Sequence, residues 1–294
     1  MKKIVLLALV LLGASIQLDA WNAVGHSAVA QIAEDHISAK TRKALKKYLK
    51  GTDIVQISSY PDVHYYEWYR DIGWKCSNPE VLRRKASGMD GLETNWEPWS
   101  HSYTVDSLCQ VYRHNREGDL YIRNAIMDLD WLIRNLKENL TTMDPEEREK
   151  ELSLVVHLIG DMHCPMHILY VPQAPTGGKY SIYIGEQKMN IHSFWDSRIW
   201  KFLGKGWDYS DFASEADTAS PAEIAEIVKG DLFDWASVNA KAAWPAHHLT
   251  DASRKERELD SYYPETMRAL AYQQLRNAGY RLAKTLDDIF AEVK

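Results

Sequence analysis

"HLIGDMHCPMH", residues 157–167, places chemistry at the end of a helix. His157 and Asp161 stand four residues apart, so on a helix they share one face and reach toward the same point. Upstream, "PEEREKELSLVV" from residue 145 carries apolar residues at three- and four-residue intervals. Pro145 with Glu146 and Glu147 gives it a first-turn signature. Downstream, Pro165 cannot continue the helix and turns His167 in another direction. A helix over 145–163 therefore ends in a His-Asp pair with a further histidine beside it, an arrangement that suits two neighbouring metal ions better than one.

The same pairing recurs in "NIHSFWDS", where His192 and Asp196 are again four apart. Imidazole nitrogens with carboxylate oxygens make up zinc's usual non-thiol ligand set. "SSYPDVHY" adds Asp62 and "WSHSYTVD" adds His101. A lone histidine on an apolar helix face is more often a hydrogen-bonded core residue than a ligand. His36, His64, His114, His247 and His248 are read that way. His163, six residues after His157, cannot share its face and is read as packing or as support for the ligands.

Between the two pairs, "GGKYSIYIGEQKMNIH" contains the one convincing strand signal, with "YSIYI" able to pair back across Gly185. Elsewhere helical periodicity dominates: residues 27–37, 41–49, 119–140, 145–163, 221–240 and 264–293. Residues 71–100, interrupted by Pro79, Gly88, Gly91 and Pro98, read as a long loop. The expectation is a mainly α, single-domain helical bundle with a small β-hairpin.

The chain opens with Lys2 and Lys3, a nine-residue apolar run from Ile4 to Leu12, and small residues before Ala20. That is the layout of a secretory signal peptide over 1–20, cleaved after Ala20, followed by a domain over 21–294 that is secreted or periplasmic. The apolar run is far short of the roughly 20 residues that span a bilayer. No membrane span and no obligate protein partner are expected. Net charge is -6 over the full 294 residues. Removing Lys2, Lys3 and Asp19 makes it about -7, so an anionic substrate is not attracted by the protein as a whole. Cys76, Cys109 and Cys164 are the three cysteines, enough for one disulfide and no disulfide framework. Cleavage would make Trp21 the first residue, with His26 on the first helix.

With "WNAVGH" at 21–26, "HLIGDMHCPMH", the pair Gly177-Gly178, "NIHSFWD" and the closing "NAGYRLAKTL", the chain resembles the S1/P1 family of zinc-dependent nucleases across nearly its whole mature length. The resemblance implies a zinc phospholipase C/nuclease-like fold and hydrolysis of single-stranded DNA or RNA to 5′-phosphorylated products. Removal of 3′-phosphate from mononucleotides comes with it. It implies three zinc ions per chain: one held by Asp62, His101, His157 and Asp161; a separate one by His167, His192 and Asp196. The third is held by His26, Asp161 as a bridge, and the α-amine and carbonyl oxygen of Trp21. An amine with a reference pKa of about 7.7–8.0 deprotonates readily beside a dication. Asp161, as the bridge, and Asp62, accepting a hydrogen bond from the attacking water, take the catalytic roles.

The chain departs from the family pattern around the substrate. Tyr65 stands where Lys or Arg is usual, Ser102 where an aromatic would stack a base, and Lys179 where Asn is usual. Tyr103 is the candidate replacement platform, with core packing as the equal alternative, and Lys179 is the candidate phosphate contact. Two rival readings are a zinc phospholipase C-like phosphodiesterase and a non-catalytic periplasmic zinc-binding protein. Against the first stand the five-residue step from Trp21 to His26 and an Asp, not a Glu, at 196. Against the second stands the number of ligands.

Overall fold

The computed structural model describes residues 21–64, 101–114, 116–117, 120–121, 124–171, 181–184, 186–248, 256–259 and 263–292. The leader, Tyr65, the 71–100 loop with Cys76, and Thr176 to Lys179 lie outside the described residues.

The central element is the helix expected over 145–163, labelled α5 in the chain order that follows. Three helices precede it near the start: α1 (Ala23–His36), α2 (Ala39–Tyr48) and α3 (Ile54–Ile57). Strand β1 (Tyr103–Val105) and a short pair, β2 (Arg116–Glu117) with β3 (Leu120–Tyr121), lead into α4 (Ala125–Asn139). Then comes α5 (Pro145–His163), begun by Asp144, whose side chain accepts from Glu146 N and Glu147 N, with Pro145 at the first position. From Glu151 to His163 every residue of α5 is buried. A helix buried on all sides needs neighbours all round. It has them in α1, α3, α4 and two C-terminal helices.

After α5 a single 3-10 turn, Pro165–His167, leads to β4 (Ile168–Tyr170). The expected hairpin is present: β5 (Ser181–Ile184) and β6 (Gln187–Asn190) pair antiparallel, Ser181 opposite Asn190. It leads directly into α6 (Ile191–Ser193), a π-helical turn over Phe194–Arg198, and α7 (Ile199–Leu203). Next come α8 (Tyr209–Ala216), α9 (Pro221–Ile227), α10 (Leu232–His248), β7 (Glu256–Leu259), α11 (Tyr263–Thr266) and α12 (Arg268–Phe290). Strand β7 joins β5 in parallel, making a three-stranded sheet. The chain is mainly α, as expected.

Three helical readings are corrected, the 264–293 segment dividing at Met267 into α11 and α12. The 119–140 segment becomes helical only at Ala125, because Asn124 caps the helix through Met127 N while Leu120 and Tyr121 are extended against Glu117 and Arg116. The 221–240 segment is two helices. Gly230 lies between them at φ +89°, a conformation that ends a helix and that side chains rarely adopt.

Close packing sets the position of α1. At Gly279 of α12 an added Cβ would lie 2.4 Å from Ile32 Cγ2, so the glycine lets α1 approach that helix closely. Trp21 is fully buried, its ring edge-on to Trp200 with centroids 5.5 Å apart. Asn22 N donates to Asp196 O at 2.6 Å, and the Asn22 side chain caps α1 through Gly25 N. The described start of the chain is thus stitched to the π turn that carries Asp196.

Candidate metal centre

Four segments distant in sequence meet at the C-terminal end of α5. That end supplies His157 and Asp161, and α1 brings His26 across it. The close approach has a specific cause: a Cβ on Gly160 would stand 2.7 Å from His26 Nδ1, so only glycine leaves room for the imidazole against the helix. The rings of His26 and His157 stack at 4.0 Å between centroids, 19° from parallel. The parallel pairing of β1 with β4 sets Tyr103 opposite Ile168. Residues just before those strands are thereby neighbours, and the rings of His101 and His167 lie 5.1 Å apart. The hairpin delivers the last pair, because Asn190 caps α6 through His192 N and Ser193 N. The π turn then carries Asp196 back toward His192.

Around Asp161 the nitrogen and oxygen atoms converge. His26 Nε2 is 3.3 Å from Asp161 Oδ1, and His157 Nε2 is 3.3 Å from both Asp161 Oδ2 and Asp62 Oδ1. Asp161 is fully buried, and neither of its oxygens has a hydrogen-bond partner. Both nitrogens of buried His26 likewise make no hydrogen bond. His157 Nδ1 donates to Ser58 O at 2.9 Å, which in the neutral ring leaves Nε2 a lone pair aimed at two carboxylates. A second group lies beside the first. His167 Nδ1 donates to His101 O at 2.8 Å, and its Nε2 faces His192 Nε2 at 3.1 Å. His192 Nε2 is 3.4 Å from Asp196 Oδ2. Cys164 Sγ, His167 and Asp196 place one donor atom each within 4.8 Å of one another, all buried.

These separations test the fit of a cation. Lone pairs facing lone pairs or carboxylates repel unless something positive sits between them. Tetrahedral zinc with bonds of about 2.0–2.1 Å puts its ligand atoms roughly 3.3–3.4 Å apart, longer than most N–H···O hydrogen bonds. The donor set and its spacing therefore suit zinc. Without metal, protons take this part: burial opposes charge on His157, but Asp161 and Asp62 outweigh it and hold the ring well above the ordinary imidazole value. Asp161 responds in the opposite direction, since burial alone would raise it while His157 and His167 hold it well below the carboxylate range. Burial, followed by His157, lowers His26. Burial lowers His167 to about 4.

One turn away, His163 is occupied differently. Its Nδ1 donates to Ile159 O at 2.8 Å and its Nε2 accepts from Arg281 Nη1 at 2.8 Å, so it belongs to the packing. His247 Nε2 donates to Pro165 O at 2.7 Å, and His36 pairs with Asp217 at 3.0 Å. Neither joins the cluster.

Tyr103 is corrected. The ring is fully buried and its hydroxyl donates toward Met162 O and Ala236 O, at 3.2 and 3.3 Å, while Asn239 Nδ2 donates to it. It points into the core and offers no face to a base. Ser102 is also buried. Lys179 falls outside the described residues. Trp21 is buried beside the π turn, with its neighbour Asn22 bonded to Asp196. Cys109 and Cys164 carry free thiols. Sequence reasoning passed over Gly160 and Cys164: a glycine one residue before Asp161 was the available signal for the first, and the second had none. Among the described residues no helix is long and apolar enough to cross a membrane.

Comparison with known proteins agrees with this geometry. The family model described as S1/P1 Nuclease matches residues 21–291. Endonuclease 2 of Arabidopsis thaliana is 22% identical over 301 residues, covering 95% of this chain and 94% of its own. Endonuclease 4 of the same plant is 21% identical, covering 92% and 89%. Nuclease P1 of Penicillium citrinum is 23% identical, covering 92% and 97%. The chain belongs to the S1/P1 nuclease family, and with it to the hydrolases that act on phosphodiester bonds.

Proposed function

We propose that this member of the S1/P1 nuclease family is an exported, zinc-dependent phosphodiesterase with three zinc ions per chain. It cleaves single-stranded DNA or RNA to 5′-phosphorylated products and removes 3′-phosphate from mononucleotides. The observation that carries the reading is the spacing around Asp161: buried imidazole nitrogens and carboxylate oxygens 3.3 Å apart, with no hydrogen bonds on the side chains of Asp161 or His26.

Asp62, His101, His157 and Asp161 would hold one ion, and His167, His192 and Asp196 another. His26, Asp161 and the amine and carbonyl oxygen of Trp21 would hold the third. Bound zinc supplies Lewis-acid shielding of the phosphate's charge and lowers the pKa of water. The side chains divide the remaining work by burial. Asp161, fully buried and held ionised by its histidines, would bridge two ions. Asp62, whose side chain is 11% exposed, lies at the edge of the cluster and would accept a hydrogen bond from the attacking water. The attacking water, its proton lost to solvent, would bond through oxygen to phosphorus; the bond to the 3′ oxygen would break, that oxygen taking a proton from solvent to leave as the 3′ hydroxyl, and the phosphate would stay on the 5′ side. His192, 13% exposed, and partly exposed His101 stand on the side from which substrate enters.

Protein purified with Trp21 as its first residue is expected to hold close to three zinc ions. It should lose activity under strong chelation and act on single-stranded DNA, RNA and 3′-AMP in preference to duplex DNA or phosphatidylcholine. Elemental analysis finding one zinc or none would overturn the reading. A second arm keeps an uncleaved Met before Trp21, which turns the amine into an amide, far too weak a base to serve as the same ligand. Less zinc and a large drop in rate are expected; equal zinc and rate would remove Trp21 from the ligand set.

A further inference from the structure

We propose that Cys164 is the positioning residue of the second ion's ligand set: its thiol donates to Asp196 and fixes which way that carboxylate points. The inference rests on the zinc reading above. Cys164 is fully buried and caps the C-terminus of α5. It touches three of the proposed ligand residues at once. Its backbone N–H donates to Asp161 O at 3.0 Å, its carbonyl accepts from His167 N at 3.0 Å, and its Sγ lies 3.6 Å from Asp196 Oδ1.

The first two bonds are main-chain and would survive any side chain that fits. The third is specific to the thiol. It crosses from the end of α5 to the π turn, two segments with 31 residues between them, and links the helix that carries Asp161 to the carboxylate opposite His192. A carboxylate on a turn can rotate about its last bond; a donor on one oxygen leaves the other to face the imidazole. Asp196 Oδ2 is the oxygen that lies 3.4 Å from His192 Nε2. Asp196 is held from the other side as well, since its carbonyl accepts from Asn22 N. Hydrogen bonds of this kind to a ligating carboxylate set its direction and commonly account for a tenfold to hundredfold difference in metal affinity.

The test compares wild type, Cys164→Ser and Cys164→Ala, each as mature full-length chain. Zinc is titrated against a chromophoric chelator, the metal-free melting temperature is measured, and the cobalt-loaded spectrum is recorded. Ala is expected to weaken the most readily lost zinc by about tenfold or more, while Ser, which keeps a donor, retains most of the affinity. Metal-free melting temperatures should stay close together, which separates positioning from packing. The cobalt spectrum should lack a cysteinate charge-transfer band. Unchanged zinc affinity in Ala, equal losses in Ser and Ala, or a charge-transfer band marking Cys164 as a direct ligand would each overturn the proposal while leaving the zinc reading intact. Wild-type protein that binds no zinc would overturn both.

Discussion

His157 and His163 sit on one helix, both fully or nearly buried, and behave in opposite ways. Each spends Nδ1 on a backbone carbonyl, Ser58 O and Ile159 O. The difference is at Nε2. In His163 it accepts from Arg281, and burial followed by that neighbouring cation lowers the ring to about 3, so it stays neutral. In His157 it faces two carboxylates at 3.3 Å and, without metal, holds a proton. A buried histidine satisfied at both nitrogens is packing; one satisfied at Nδ1 and aimed at acids with Nε2 is prepared for a cation. Residue type does not separate them; helix position does, since six residues put the two rings on different faces, and the second hydrogen bond gives the physical reason.

The largest expected effect removes the acid that defines the cluster side. Asp161→Asn should lower turnover on single-stranded DNA by at least about a hundredfold and cost bound zinc, because in the proposed site one side chain would serve two ions. Near-normal turnover would break the contrast at its centre. Gly160→Ala tests geometry without touching a donor. The added Cβ would meet His26 Nδ1 at 2.7 Å, so the ring must shift. Overpacking of this kind costs about 1–3 kcal/mol, and zinc affinity should fall with it. Unchanged denaturant midpoint and zinc content would show that His26 has room the close contact denies.

A third measurement uses pH on the packing side. His163 and His247 titrate near 3 and 4 when folded, pushed down chiefly by burial, against about 6.5 unfolded. The unfolded chain then binds more protons in that interval, so these two residues withdraw stability as pH falls below about 6.5. Glu151 runs the other way. Burial raises it to about 7, although Asn135 Nδ2 donates to both its oxygens. Its contribution is fully present below about 4.5 and is lost as pH rises through 7. Chemical denaturation of metal-free Glu151→Gln should match wild type at pH 4.5 and exceed it by up to about 3 kcal/mol at pH 8. A gap of the same size at both pH values would mean that Glu151 is not titrating.

The smallest effect is expected at Tyr103. Tyr103→Phe removes a hydroxyl bonded to Met162 O and Ala236 O, at a cost of about 1–2 kcal/mol in stability, with the Michaelis constant unchanged. A raised Michaelis constant would restore it as a substrate contact.

Much of this contrast was legible in the sequence, and the limit is physical. Helix α5 has the expected bounds because its start and stop are local: Pro145 after a capping Asp144, and Pro165 two residues past His163. The His-Asp pairs were visible because four residues make one helical turn, and the hairpin because alternation marks a strand. The meeting of His101 with His167 was not, since parallel pairing of β1 and β4 joins segments more than sixty residues apart. Tyr103 was misread for the same reason: that pairing decides which way its ring points. The break at Gly230 was passed over because apolar periodicity continues across it, although Gly230, at φ +89°, and Asp231, whose side chain accepts from Phe233 N and Asp234 N, end one helix and start the next.

Burial of the donors also has a consequence for time. Asp161 and His167 are fully buried and His26 and His157 nearly so; two of the four, His157 and Asp161, lie on the stretch of α5 that is buried throughout. Asp62 and His192, at 11% and 13%, form the accessible edge. Among the described residues, ions held here would exchange first at that edge, and exchange at the inner donors would wait on a local opening of the surrounding helices. Chelation should be slow and biphasic, with a fast loss at the rim and a lag set by the protein's own breathing, so that incubation time, as much as chelator strength, decides how much metal is seen to leave.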